Sequence, residues 1–302
     1  MSEAKPHALL RPQIALPFVL VALIWGSTWY VITGQIAAVP PSWSIAYRFA
    51  LATPAMFAVA LAMRNPMRLT RGGHLLGVLL GITQFSGNFN FVYRAELHLT
   101  SGVVAVMFGM LIVPNALLAW WWLGQKVTPR FFLGSLVAIA GIALLLVHEA
   151  QVARLDGNVL LGVVLAVGGI LSASIANVGQ ASETGRAQPM ITLLAFAMLY
   201  GTLIDAAIAF ALAGPPVFPA SREFWAGTAW LAFAGSVVTF PLYWGIVRAI
   251  GPGRAAYNGV LVIVVAMLIS TFVEGYEWSL LAVAGATLGT LGMIIALRAR
   301  QV

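Results

Sequence analysis

Apolar residues fall in ten long runs, and the stretches between them are short and rich in charges or helix breakers. The runs are Gln13–Gln35, Ser42–Met63, Leu75–Tyr93, Leu99–Leu123, Phe131–Val147, Gly157–Gln180, Pro189–Leu212, Phe224–Val247, Ala255–Val273 and Trp278–Leu297. Each approaches the roughly 20 residues that a helix needs to cross a hydrocarbon core. None alternates apolar and polar positions as a barrel strand would, so the pattern predicts helices rather than a closed sheet. Pro40-Pro41, Gly72-Gly73, Pro215-Pro216 and Gly251-Pro252-Gly253 mark the breaks. The expected fold is an all-α polytopic membrane protein of ten transmembrane helices.

A repeat lies beneath this pattern. Gly102, Gly124, Gly134 and Gly141 reappear 151 residues later as Gly253, Gly275, Gly285 and Gly292. The shared spacing divides the chain into two related halves, 1–150 and 151–302, with five runs each. An odd number of spans per half makes the second half enter the membrane from the opposite side, so the halves are inverted repeats. That build recurs in secondary transporters, with the substrate site at the repeat interface near mid-membrane.

Composition supports a surface that faces lipid. Hydrophobic residues make up 61% of the 302 residues and charged residues 8%, against about 25% charged in soluble domains. Mean hydropathy is +0.95. The net charge of +7 suggests nucleic acid at first sight, but the basic residues sit between apolar runs without a basic-aromatic groove, so no nucleic-acid partner is expected. Their placement reads instead as topology. With ten spans, Lys5, Arg11, Arg64, Arg68, Arg71, Lys126, Arg130, Arg186, Arg248, Arg254, Arg298 and Arg300 share a side with both termini; the other side holds only Arg94, Arg154 and Arg222. The bias predicts cytoplasmic termini. The first apolar run is long and is followed by many more, so it reads as a span rather than a cleaved signal.

Several chemistries find no support. There are no cysteines, which removes disulfides, thiolate metal sites and a cysteine nucleophile. His7, His74, His98 and His148 lie at span ends or outside and pair with no carboxylate at ligand spacing, so neither a metal nor another cofactor is expected. No GxxxxGK[ST] phosphate loop is present. No nucleophile–base pair shares a depth, so the chain is not read as an enzyme.

The ten spans in a 5+5 order resemble the drug/metabolite transporter superfamily in its EamA-type branch. The resemblance rests on Trp25-Gly26-Ser27-Thr28-Trp29, Arg48-Phe49, Leu123-Gly124-Gln125, Gly134 with Gly141, and Gly251-Pro252-Gly253-Arg254-Ala255. It covers nearly the whole chain, and within the family the chain looks most like the YddG-type exporters of aromatic and other neutral amino acids. One departure stands out: the family usually carries Gly-Glu after span four, where this chain has Gly124-Gln125. The resemblance implies a multi-pass protein of a bacterial inner membrane that exports a small molecule by alternating access, for which one chain suffices. It also implies a cavity lined by spans one, three, four, six, eight and nine, with five and ten at the periphery.

The polar residues of those spans are then the candidates for binding. In span one, Trp25 and Trp29 share a helix face, with Ser27 and Thr28 between them. Span three carries Gln84, Ser86, Asn88 and Asn90; Gln84 and Asn88 share one face and are the two candidates. Asn115 in span four, Ser174 and Asn177 in span six, Thr239 and Tyr243 in span eight, and Tyr257 and Asn258 in span nine complete the set. Hydroxyls that bond their own helix, and amides that bridge helices, are the bland reading for each. Pro114 and Pro241 can break their helices and act as gating hinges, or simply kink them. Two charges lie within spans. Arg48 reads as structural or snorkelling, and Asp205 as a candidate for proton coupling. Such a lining of aromatics, amides and hydroxyls, nearly free of charge, suits neutral or zwitterionic metabolites, aromatic amino acids first. A broad drug or amphiphile exporter is the alternative.

Overall fold

A computed structural model describes residues 12–152, 158–250, 255 and 257–299. Among the described residues there are helices and no strands. We number the long helices α1 (Pro12–Ala38), α2 (Pro41–Ala62), α3 (Arg71–Ala95), α4 (Ser101–Leu123), α5 (Pro129–Val152), α6 (Val159–Ala181), α7 (Met190–Ala213), α8 (Arg222–Val247), α9 (Tyr257–Val273) and α10 (Leu280–Ala299). The first eight are long and apolar enough to cross a membrane; the apolar stretches of α9 and α10 are shorter.

Local chemistry fixes the helix ends. Thr70 Oγ1 accepts from Gly73 N at 3.0 Å and caps α3, and Ser221 Oγ accepts from Phe224 N at 3.1 Å and caps α8. Gly124, the C-cap of α4, and Gly275, just past the end of α9, both take the left-handed conformation, with φ of 66° and 69°, which glycine adopts at no steric cost. Both pairs keep the 151-residue spacing. Large apolar side chains point outward, among them Leu16, Leu136 and Phe272, which is 82% exposed. An apolar surface of this extent suits contact with lipid.

Packing repeats the sequence register. α1 packs on α8 and α9, and its counterpart α6 packs on α3 and α4; α2 meets α7, and α5 meets α10. Helices α3 and α8 each widen into a π-helical stretch, Gly81–Asn88 and Trp230–Val238. In α8, Pro241 lacks an N–H and its ring presses on the carbonyl four residues back, which favours the wider ladder. In α3, which has no proline, Gly81 and Gly87 lie in the stretch. Pro114 of α4 follows a single tight turn at Gly109–Leu111.

Glycines set the α5–α10 contact. A Cβ on Gly285 would lie 2.7 Å from the Gly141 carbonyl oxygen, and one on Gly292 would lie 2.7 Å from that of Gly134. The reciprocal substitutions at Gly134 and Gly141 meet the backbone at Gly292, Ala296, Gly285 and Gly289. The two backbones touch with nothing between them, as small residues allow in membrane helices. Gly134 faces the repeat partner of Gly141, and Gly141 faces the repeat partner of Gly134.

Replacing Gly141 by Val should therefore force α5 and α10 apart and cost about 1–3 kcal/mol. The thermal unfolding midpoint of the detergent-solubilised protein should fall. Gly34→Ala, where a Cβ meets nothing within 4 Å, is the control and should fold as the parent does.

Candidate functional site

Buried apolar side chains form two principal clusters. One centres on α2 and α7 and includes Phe49, Met56, Leu194 and Met198; the other joins α4, α5 and α10 through Val104, Leu145 and Met293. Trp29 and Phe108 pack against both. A cavity of roughly 180 Å³ opens there, bounded by α1, α2, α3, α4, α6, α8, α9 and α10. That exceeds the roughly 150 Å³ that admits a benzene ring.

Of the residues expected from sequence, Trp25, Thr28, Trp29, Gln84, Asn88, Asn115, Asn177, Tyr243 and Asn258 line this cavity. The Trp25 indole is held from both sides. Its Nε1 donates to the Gly235 carbonyl in the π-helical stretch of α8 at 3.2 Å, and its ring leans on Phe240 and Tyr243 with centroids 5.6 and 5.0 Å away. Trp29 sits against Phe108 at 5.1 Å, and its Nε1 is buried without a hydrogen-bond partner. Asn88 Oδ1, Asn115 Oδ1 and Asn258 Oδ1 are likewise buried and unpartnered. Asn258 spends its Nδ2 on the Phe18 carbonyl of α1. Buried polar atoms normally find partners; these four do not, and their residues border the cavity.

The remaining candidates sit elsewhere. Ser27 Oγ donates to the Ile24 carbonyl at 2.7 Å and accepts from Trp230 Nε1 at 3.1 Å. Thr239 Oγ1 donates to the Gly235 carbonyl at 2.7 Å, and Thr28, though in the lining, donates to the Trp25 carbonyl. These three hydroxyls follow the bland reading and serve their own helices. Ser174 Oγ is fully buried and unpartnered but is not part of the cavity wall. The side chain of Tyr257 lies outside the described residues. Pro114 and Pro241 sit beside the wall without lining it.

The wall differs from the expectation in two places. Met293 of α10 reaches it, although α10 was expected to be wholly peripheral. Arg48 of α2 also lines it, so the cavity carries a formal positive charge. The sequence did hold a signal for this, because a charge inside a span is a functional candidate by default. The aromatic walls Phe89, Phe108, Phe240 and Trp244 also escaped sequence reasoning. An apolar ring in an apolar run has no signal of its own.

Asp205 is fully buried in α7 and is not in the wall. Its Oδ1 accepts from Asn90 Nδ2 at 2.8 Å, and Asn90 Oδ1 in turn accepts from Arg94 Nη1 at 2.7 Å. This chain ties α3 to α7 beside the cavity. A second acidic feature lies just past α3. Glu96 is buried with both carboxylate oxygens unpartnered, and Glu274 accepts from Ser101 Oγ at 2.6 Å. Burial holds the Glu96 carboxyl well above its ordinary 4.5, and the Glu274 charge adds to this.

Comparison with known proteins gives these features a context. Residues 13–147 match the family model of the EamA-like transporter family. Protein PagO of Salmonella typhimurium is 24% identical over 141 residues, which are 47% of this chain and 46% of that protein. The uncharacterized transporter YvbV of Bacillus subtilis is 24% identical over 198 residues, 65% of this chain and 62% of that protein. An uncharacterized transporter of Buchnera aphidicola is 21% identical over 138 residues, 46% of each chain. The chain thus spans about half the length of the first of these curated relatives. A crystal structure at 19% identity superposes with a TM-score of 0.68 and covers 93% of this chain and 95% of its own, which shows a shared fold. The matched family and two of these relatives are named as transporters.

Two outcomes test the buried polar groups. Asn90→Leu strips Asp205 and Arg94 of their shared partner and should cost about 1–3 kcal/mol, seen as a lower unfolding midpoint. For Glu96, a raised native pKa means that the folded state holds its proton more tightly than the unfolded chain. Stability is then full at acidic pH and falls as pH rises from the ordinary 4.5 through the raised value. Glu96→Gln should flatten that fall when midpoints are compared between about pH 5 and 8.

Proposed function

We propose that the chain is an EamA-type secondary transporter that exports small neutral or zwitterionic metabolites by alternating access. Aromatic and other neutral amino acids are the first candidates. One observation carries the reading: an interior cavity between helices of both halves, walled by indole and phenyl rings and carrying unpartnered amide oxygens. Rings hold an apolar side chain, and amide oxygens accept from an ammonium group.

The two halves, 1–150 and 151–302, act as inverted five-helix repeats in this reading. The matched helix contacts, the paired π-helical stretches and the reciprocal glycines of α5 and α10 all support it. The shorter α9 and α10 then also cross the bilayer, making ten spans. Both termini face the cytoplasm of a bacterial inner membrane, as the basic residues favour. A single chain contains the whole cavity, and no cofactor enters the scheme. Pro114 and Pro241 supply hinges next to the wall. Asp205 remains the intramembrane carboxylate through which a proton would couple.

Counterflow in proteoliposomes tests this directly. Vesicles loaded with unlabelled tryptophan, phenylalanine, threonine or methionine should take up a labelled trace saturably with no ion gradient, and those loaded with glutamate or lysine should not. Trp25→Ala and Asn177→Ala should lower the rate about tenfold or more, equivalent to about 1.4 kcal/mol, while membrane insertion stays intact. Absence of counterflow for every amino acid in folded protein, or unchanged rates in both variants, would refute the reading.

A further inference from the structure

Arg48 lies seven residues into α2, about 10 Å along the helix from its start at Pro41, and is only 2% exposed. Its guanidinium is always charged and offers five N–H donors in a fixed fork. The groups that receive them are all neutral. Nε and Nη2 reach Ser236 Oγ at 3.2 and 3.1 Å, Nη2 reaches the Gly235 carbonyl at 3.4 Å, and Nη1 reaches Tyr93 OH at 3.3 Å. Phe89 offers its ring face 4.3 Å from the guanidinium carbon.

These acceptors are overcommitted. Ser236 Oγ serves two Arg48 nitrogens while donating its own proton to the Leu231 carbonyl. The Gly235 carbonyl also accepts from Trp25 Nε1 and Thr239 Oγ1. The contacts are longer than the usual 2.7–2.9 Å of charge-assisted bonds, and no carboxylate is among them. The buried acid on the facing helix, Asp205, accepts through Oδ1 from Asn90, which also holds Arg94, and its Oδ2, though without a hydrogen-bond partner, makes no bond to Arg48. A buried guanidinium without an anion is costly to keep. Here it borders a cavity that also presents Trp29 Nε1, a buried donor without an acceptor.

We propose that Arg48 is the seat of a carboxylate, so that the cavity takes small aromatic or apolar monocarboxylates, with or without an amino group, in preference to amines, amides and uncharged analogues. This rests on the cavity being the binding site of the proposed transporter. A carboxylate can accept two parallel N–H bonds from the fork and supply the charge that the neutral contacts lack. An ammonium group on the same ligand meets amide oxygens such as that of Asn88, and the ring lies among the indoles and phenyls. The seat replaces the nearly charge-free cavity expected from sequence with one that selects for a single acid group.

The test is direct binding to purified full-length protein in detergent, by calorimetry, with four indole probes. L-Tryptophan and indole-3-propionate keep the carboxylate; tryptamine and tryptophanamide lack it. The acids should bind at least tenfold tighter than the other two. Arg48→Gln should abolish that preference, and Arg48→Lys should restore part of it. If Arg48→Gln fails to fold, the probe series on the unaltered protein decides alone. Equal binding by amine and acid, no binding by either acid, or an intact preference in Arg48→Gln would overturn the seat. Carboxylate-selective binding without amino-acid counterflow would instead refute the transport reading and leave the seat standing. Counterflow that accepts tryptamine as readily as tryptophan would do the reverse.

Discussion

A backbone polar group inside hydrocarbon has no water to turn to, so it must find its partner within the protein. This constraint makes the chain helical, and it also decides what happens where the helices depart from regularity. Gly235 is the clearest case. It lies in the π-helical stretch of α8, and its carbonyl collects Trp25 Nε1 from α1, Arg48 Nη2 from α2 and Thr239 Oγ1 from its own helix. In the other half, the Thr83 carbonyl lies in the matching stretch of α3 and accepts from Ser172 Oγ of α6 at 2.8 Å. Each irregular helix is thus completed by a side chain from an element of the opposite half. Two of the groups that perform this task, Trp25 and Arg48, also line the cavity.

Charge follows the same logic. Arg94, half-buried at the end of α3, and Arg48, buried in α2, are treated differently. Arg94 leans on Asn90, which leans on Asp205, so cation and anion compensate each other through one amide. Arg48 has hydroxyls, a carbonyl and a ring face, and it borders open space. Asp205 was singled out in the sequence for its charge alone. In the structure its most evident work is to clamp α3 against α7.

Much of this could be read from the sequence, for identifiable reasons. The helices follow from apolar runs of a length that hydrocarbon dictates. The glycines at 134, 141, 285 and 292 announced the repeat, because a backbone contact tolerates no other residue there. Trp25 and Asn115 were found because a polar or indole group in mid-span needs a reason. The hydroxyls of Ser27, Thr28 and Thr239 could not be sorted in advance, since bonding the preceding turn and facing a ligand leave the same letter in the sequence. Nor were the π-helical stretches visible. Pro241 marks an irregularity in α8 without saying that the ladder widens, and α3 carries no proline at all. The place of Arg48 in the wall is not legible either, because an arginine in a family motif has a structural explanation at hand and the sequence does not show that it lacks an anion.

The seam between α5 and α10 has a mechanical side. Interlocked side chains must be lifted out of one another before two helices can move, and that registers as a barrier. Where Gly134 and Gly141 rest directly on Gly285, Gly289 and Gly292, there are no teeth to disengage. In the proposed alternating-access cycle such a joint would act as a bearing: tight enough to keep the two halves from parting, smooth enough to let them roll. The residues least able to touch a substrate would then govern how readily the cavity changes the side to which it opens.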